Sequence, residues 1–285
     1  MYNILLTTNA LMHFTGTETW TYAMVEELKR QGHNVTVFTT ARGRFAEKIN
    51  ARIITKFDGG KYDFAIVNHT TTYFQLPKNL FKIFTSHSSI FDIERPPEDC
   101  ENVVFITERI GTPVIRNGVD LNRFYYKETN EQPTVLYLSN PAYSGGVNFV
   151  RNALSGYDVI TLNKEVFEIE DFIHKADIVI SMSRGAIESM ACGRHVIYAD
   201  WRIDWASQFM GYGMITEENM EDFITGKCFT NLVPFNEEML RKEIEKYDKT
   251  RSNFYRKTVE TFFDIKNTSK QYIDIYEKNC RSVRI

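Results

Sequence analysis

The chain has 285 residues, 43% hydrophobic and 25% charged, with a formal net charge of -3 at pH 7. That is enough for two domains with separate cores, and the slight acidity gives no general attraction for nucleic acid, although a local basic face stays open. Cys100, Cys192, Cys228 and Cys280 are far apart and form no CxxC pair, so neither a metal site nor a disulfide framework is expected and the thiols are read as reduced.

The first residues lack the positive start and long apolar core of a signal peptide, and no run reaches transmembrane length, so the expected location is cytoplasmic. Residues 3–7 form a short apolar strand, and the polar turn 8–15 leads to Gly16-Thr17-Glu18. A helix follows with a buried stripe of Trp20, Ala23, Met24 and Leu28. Lys29 and Arg30 suit its last turn, and Gly32 ends it before a strand at 34–39. This turn lacks the spacing G-x-G-x-x-G, so no nicotinamide or flavin dinucleotide fingerprint is present.

Further strands are expected at 52–55, 64–68, 82–86 and 103–107, an alternation that argues a parallel sheet. His69 and His87 each come just past a strand, where open α/β sheets place ligand-binding residues. His69 is read as structural, and His87, followed by Ser88 and Ser89, as functional. A last short strand at 114–115 gives way to the turn-rich stretch 116–120. The polar, proline-ended segment 127–133 marks a domain boundary, giving units 1–127 and 128–285, with the C-terminal helix a candidate to pack back on the first.

In the second unit, strands are expected at 134–138 and 159–162, with the loop 140–146 opening a helix through Leu154. Residues 176–200 then hold a strand, a turn, a helix and another strand in one run. The stretch 178–182 is continuously apolar, Ser183-Arg184-Gly185 breaks it, and Ala186, Ile187, Met190 and Ala191 recur at helical spacing. Gly193 stops the helix and 195–198 resumes the strand pattern. The free N–H groups of that helix favour an anion, and a phosphate is the obvious guest. Glu188, in the first turn, either reaches past a diphosphate to a ribose or simply complements the helix dipole. The aromatic, glycine-bearing stretch 201–213 reads as a loop over a site or an irregular connection, 237–247 and 251–263 as helices, and 272–276 as part of a last one. Lys266, Lys270, Lys278, Arg281 and Arg284 make the end basic.

With both halves in view, the chain resembles the family 4 retaining nucleotide-sugar glycosyltransferases of the GT-B fold. The resemblance rests on Gly16-Thr17-Glu18 with 28–37, on the hinge-like Val114-Ile-Arg-Asn-Gly-Val-Asp120, and on Glu188-Ser-Met-Ala-Cys-Gly193. It implies two Rossmann-like α/β domains with parallel sheets facing across a cleft, the first serving the acceptor and the second the donor. It also implies transfer of a sugar from a nucleoside diphosphate donor to a hydroxyl acceptor with retention, without cofactor or essential metal.

Residue by residue, the resemblance makes Glu188 the ribose ligand. Gly16, with Thr17 beside it, becomes the turn that donor diphosphate and acceptor approach. His87 is placed near the transferring sugar, and Gly185, Ala186 and Ile187 form the helix start that holds phosphate. Two departures stand out. Ile180 occupies the place of the family's second glutamate, and the residues after the first strand of the second domain carry no cation, so Arg184 is the replacement expected on the diphosphate, with Lys164 or Arg116 next. A sugar-nucleotide epimerase, a non-catalytic sugar-nucleotide or glycan binder and a DNA-modifying glycosyltransferase, hinted at only by the basic tail, are the other readings.

Overall fold

The structure, a computed structural model, describes residues 1–139, 145–162, 164–202 and 207–282. The chain divides into two compact units, Met1–Asp120 together with Asp264–Ile285, and Leu121–Phe263.

The first unit is an all-parallel, six-stranded sheet with strand order β3-β2-β1-β4-β5-β6. Its strands are β1 (Asn3–Leu11), β2 (Asn34–Arg42), β3 (Arg52–Ile54), β4 (Phe64–Val67), β5 (Lys82–Ser86) and β6 (Val103–Phe105). Ile4, Leu5 and Leu6 are wholly buried because β1 lies at the centre, between β2 and β4, with both faces covered. Helix α1 (Gly16–Arg30) buries Trp20, Ala23, Met24 and Leu28, as its spacing requires. Gly32, at φ +85°, ends it: the Gly32 N–H donates to Lys29 O and the His33 N–H to Leu28 O, the paired bonds of a left-handed helix stop. The single turn α2 (Thr70–Tyr73) follows β4.

The last helix of the chain, α10 (Ile265–Ser282), starts earlier than its aromatic residues suggested and belongs to this unit. Tyr272 packs edge-on against Trp20 and shares a 2.9 Å hydrogen bond with Thr85, while Tyr276 stacks on Phe64. Gly118 lies so close to α10 that a Cβ there would sit 2.6 Å from the Ile265 backbone. Arg284 and the last residues of the basic tail lie outside the described residues.

The second unit has the order β12-β11-β10-β9-β7-β8. Parallel strands β7 (Val135–Leu138), β8 (Val159–Leu162), β9 (Ile178–Ser181) and β10 (His195–Arg202) are followed by antiparallel β11 (Gln208–Met214) and β12 (Val233–Pro234). Helices α3 (Gly145–Ala153), α4 (Glu170–Ile173) and α5 (Ser183–Ala191) link the parallel strands. After β11 come α6 (Met220–Ile224) and α7 (Lys227–Thr230); α8 (Glu237–Ile244) and α9 (Ser252–Phe262) follow β12.

The stretch 201–213, read from sequence as a loop, is instead mostly sheet. Trp201 and Arg202 prolong β10, and Phe209 and Met210 on β11 pair back on Trp201 and Asp200. Residues 203–206 lie outside the described residues, as do residues 140–144 of the cation-poor stretch 140–146. Gly193 is at φ +78°, its N–H donating to Met190 O and that of Arg194 to Ser189 O, the same stop that ends α1.

Candidate functional site

Open parallel sheets bind ligands outside the carboxyl ends of their strands, where successive connections leave in opposite directions. In the first unit that point falls between β1 and β4, because the chain adds β2 and β3 on one side of β1 and then returns to the other. In the second it falls between β7 and β9, since β8 is added outside β7 before β9 pairs with its other edge. The site residues expected from sequence divide between these two places.

Gly16, Thr17 and His87 collect in the first. As at α5, the residue before the helix makes no side-chain cap. Thr15 precedes α1, and its hydroxyl donates to the carboxylate of Glu18, which also accepts backbone N–H groups of its own residue and of His13. Burial pushes Glu18 upwards against those bonds. A Cβ at Gly16 would meet nothing within 4 Å, so the backbone there is open to approach.

His87, at the end of β5, lies with Nε2 3.1 Å from Asn68 Oδ1 and its ring edge-on to Trp20. His69, at the end of β4, accepts the Asn9 N–H on Nδ1 at 2.9 Å, which puts its proton on Nε2; burial lowers its pKa to about 4. Sequence reasoning passed over Glu94, which the β5–β6 connection brings into the same crevice. Its Oε1 is 3.8 Å from His69 Nε2, and its carboxyl is raised to about 7 by burial, with the Glu18 charge adding and the Thr17 hydroxyl opposing. Nothing periodic marks Glu94; the signal available was an acidic residue in the loop after a strand end carrying His87.

The second crevice holds Arg184, Gly185, Ala186, Ile187 and Glu188 on α5. Ser183 is at φ +52°, a left-handed conformation costing about 1–3 kcal/mol for a residue with a side chain, so the strand-to-helix turn is strained. Met182, which precedes α5, makes no side-chain cap, and the first turn of the helix carries no acidic residue. Gly185 seats the helix: a Cβ would lie 2.5 Å from Ser181 Oγ and 2.9 Å from Leu138 Cδ2, on the two strands that flank the crevice.

Arg184 does not point into solvent. Its side chain is 10% exposed and its Nε lies 2.7 Å from Oε1 of Glu188, itself 5% exposed. Burial pushes Glu188 upwards, and Arg184 and then Arg123 hold it down. Arg123, which the sequence reading also missed, donates to both carboxylate oxygens of Glu170 at 2.8 Å and to Phe167 O. The result is a run of alternating charge, half-buried at Arg123 and Glu170, beside an uncapped helix start, which can accept an anion at the N–H groups and hydroxyls at Glu188.

Lys164 is exposed on the surface, and Arg116 belongs to the first unit, where it pairs with Glu108. Among the described residues no cluster of three or more His, Cys, Asp or Glu is arranged to hold a metal ion, and no helix is long and apolar enough to cross a membrane.

This α/β architecture of two parallel-rich, six-stranded sheets is the GT-B fold. It is similar to the crystal structure of a glycosyltransferase from Rickettsia africae ESF-5, with a TM-score of 0.64 at 16% identity over 97% of this chain and 98% of that one. An alpha-glucosyltransferase in complex with UDP superposes with a TM-score of 0.57 at 11% identity, covering 97% and 100% of the two chains. A UDP-N-acetylglucosamine 2-epimerase reaches 0.51 at 12% identity over 95% and 94%. No family model and no curated protein matches the sequence.

Proposed function

We propose that the protein is a cytoplasmic glycosyltransferase that moves a sugar from a nucleoside diphosphate donor to a hydroxyl acceptor with retention and without an essential metal. The unit from Leu121 to Phe263 takes the donor and the one from Met1 takes the acceptor. The observation that carries this reading is the start of α5: an uncapped helix N-terminus, brought against β7 and β9 by Gly185, with Arg184 in its first turn paired to Glu188, which lies in the second turn and not the first.

The donor diphosphate sits on the N–H groups of Ser183, Arg184 and Gly185 at the open end of α5, whose dipole supplies about half a positive charge; those of Ala186 and Ile187, expected from the sequence to hold phosphate, already donate within the helix. Arg184 adds a planar donor fork for phosphate oxygens, and the negative charge that develops on the leaving diphosphate is met more strongly than the ground state. Glu188 keeps a second carboxylate oxygen for the ribose hydroxyls. Gly16 and Thr17 offer the open backbone at the other switch point, with His87 beside them.

Titration calorimetry with UDP and dTDP tests the donor half. Glu188→Ala is expected to weaken nucleotide binding about tenfold, the worth of one charge-assisted hydrogen bond. Unchanged affinity with lowered stability would leave Glu188 as a dipole partner only. The match to an epimerase structure makes that reaction the second reading, and release of nucleotide from donor with no acceptor-linked product favours it.

A further inference from the structure

The crevice between β1 and β4 holds a carboxyl group for which the donor reading has no use. Glu94 is 8% exposed, and no lysine or arginine pairs with it among the described residues. Facing it are the Thr17 hydroxyl and Glu18 from α1 and the Nε2–H of His69 from the end of β4. Arg95 and Asp92, on its own segment, pair with each other, and His13 faces Glu18. The 3.8 Å between Glu94 Oε1 and His69 Nε2 is too long for a direct hydrogen bond and suits an oxygen bridging the two.

A second observation points the same way. Asn68, wholly buried between the ends of β4 and β5, gives Oδ1 to His87 and leaves Nδ2 without a partner among the described residues. Whichever way that amide is turned, one of its ends is unpaired, and so is the buried hydroxyl of Thr8 on β1. A crevice with two carboxyls, neutral donors and unpaired amide and hydroxyl groups suits a ligand that both gives and accepts hydrogen bonds and carries no negative charge.

We propose that this crevice is the acceptor site, that its ligand is a neutral sugar or similar polyol, and that Glu94, Thr17 and His69 hold the reacting hydroxyl. This rests on the glycosyltransferase reading given above. In the transfer, the acceptor oxygen bonds to the anomeric carbon as the bond from that carbon to the diphosphate oxygen breaks, and the acceptor proton passes to the released diphosphate. Glu94 orients the hydroxyl and excludes phosphorylated acceptors. With its carboxyl titrating near 7, the ionised form, the better acceptor of a hydroxyl proton, prevails above that pH.

Saturation-transfer NMR on the full chain tests this with methyl α-D-glucoside, methyl α-D-mannoside, methyl α-D-galactoside and glucose 6-phosphate, at pH 6 and pH 8, with and without UDP. At least one neutral glycoside is expected to bind, several-fold better at pH 8, and glucose 6-phosphate is not. Glu94→Ala abolishes the signal, whereas Glu94→Gln keeps a weakened signal with no pH response; both variants retain wild-type UDP affinity. Equal signals and equal pH response in wild type and Glu94→Gln overturn the proposal, as does preference for glucose 6-phosphate. Failure of every neutral glycoside to bind a chain that binds UDP overturns it too. Glycoside binding without UDP binding would instead sink the donor reading and leave a neutral-sugar site in this crevice with no transfer for it to serve.

Discussion

Two helices start beside the switch points of the two sheets, α1 after β1 and α5 after β9, and their starts carry different side chains. At the start of α1 the Thr15 hydroxyl donates to the Glu18 carboxyl, and Glu94 lies nearby, so two carboxyls gather there. The start of α5 is uncapped, strained at Ser183, and keeps its glutamate tied to an arginine. Topology sets where a ligand is received, and a few side chains set which charge it carries.

The largest effect expected from breaking this contrast is at Arg184. Arg184→Ala should lower turnover on the order of 100-fold or more, and it should cost about 3 kcal/mol of stability because Glu188 is left buried without its partner. Arg184→Lys should restore part of the rate, having charge without the planar fork. Steady-state kinetics with urea melts check both, and wild-type turnover in the alanine variant would remove Arg184 from the mechanism. The double change Arg184→Met with Glu188→Leu sharpens the point: stability should return while UDP affinity does not, as seen by calorimetry.

Next come the two glycines. Gly185→Ala drives a methyl into Ser181 and Leu138 and is expected to cost about 1–3 kcal/mol and to weaken UDP binding, whereas Gly16→Ala meets open space and should leave stability equal or slightly higher. Equal denaturation midpoints for the two variants would erase the difference between the helix starts.

The dependence of stability on pH separates the units more gently. Glu94 has a folded pKa of about 7 against an ordinary 4.5, so its contribution is fully present below 4.5 and is lost as pH rises through 7. Glu94→Gln should therefore melt higher than wild type at pH 8, by on the order of 2 kcal/mol in stability, and match it near pH 4.5. His69 in the first unit and His195 in the second, both lowered to about 4, act in the other direction: their stabilisation is present above pH 6.5 and lost as pH falls to 4. Acid weakness is thus shared by the units, and Glu94 adds a loss towards alkaline pH in the first, as the raised Glu188 does in the second. A Glu94→Gln variant with the wild-type pH profile of melting would refute the assignment. The smallest effect is expected from chelator: turnover should not change, since α5 and Arg184 are assigned the charge stabilisation, and loss of activity restored by a divalent ion would overturn that.

Much of the fold was readable because both halves repeat one local grammar. A buried apolar strand, a helix with a 3.6-residue stripe and a glycine stop are each written within a short window, as at Gly32 and Gly193. The β10–β11 hairpin was not readable: its aromatic residues pair across strands rather than along a helix, and they resembled an irregular loop. Short helices such as α6 and α7 hold too few residues for any period to show.

The second crevice was half legible. Arg184 and Glu188 stand at the i, i+4 spacing of a helical ion pair, whereas the family resemblance sends them to different parts of the donor. The first crevice gathers Thr17, Asn68, His69, His87 and Glu94 from four separate stretches, and only strand order brings them together.

The return of α10 to the first unit sets an order for manufacture on the ribosome. The faces of Trp20, Phe64 and Thr85 are made early, yet Tyr272 and Tyr276, which cover them, are translated only after every residue of the second unit. At roughly 5–20 residues per second that interval lasts many seconds. The contiguous second unit is therefore expected to fold to completion first, while the first waits with aromatic surface open to chaperones and proteases. Synthesis halted before Ile265 should yield a chain that is protease-sensitive in its first unit and protected in its second.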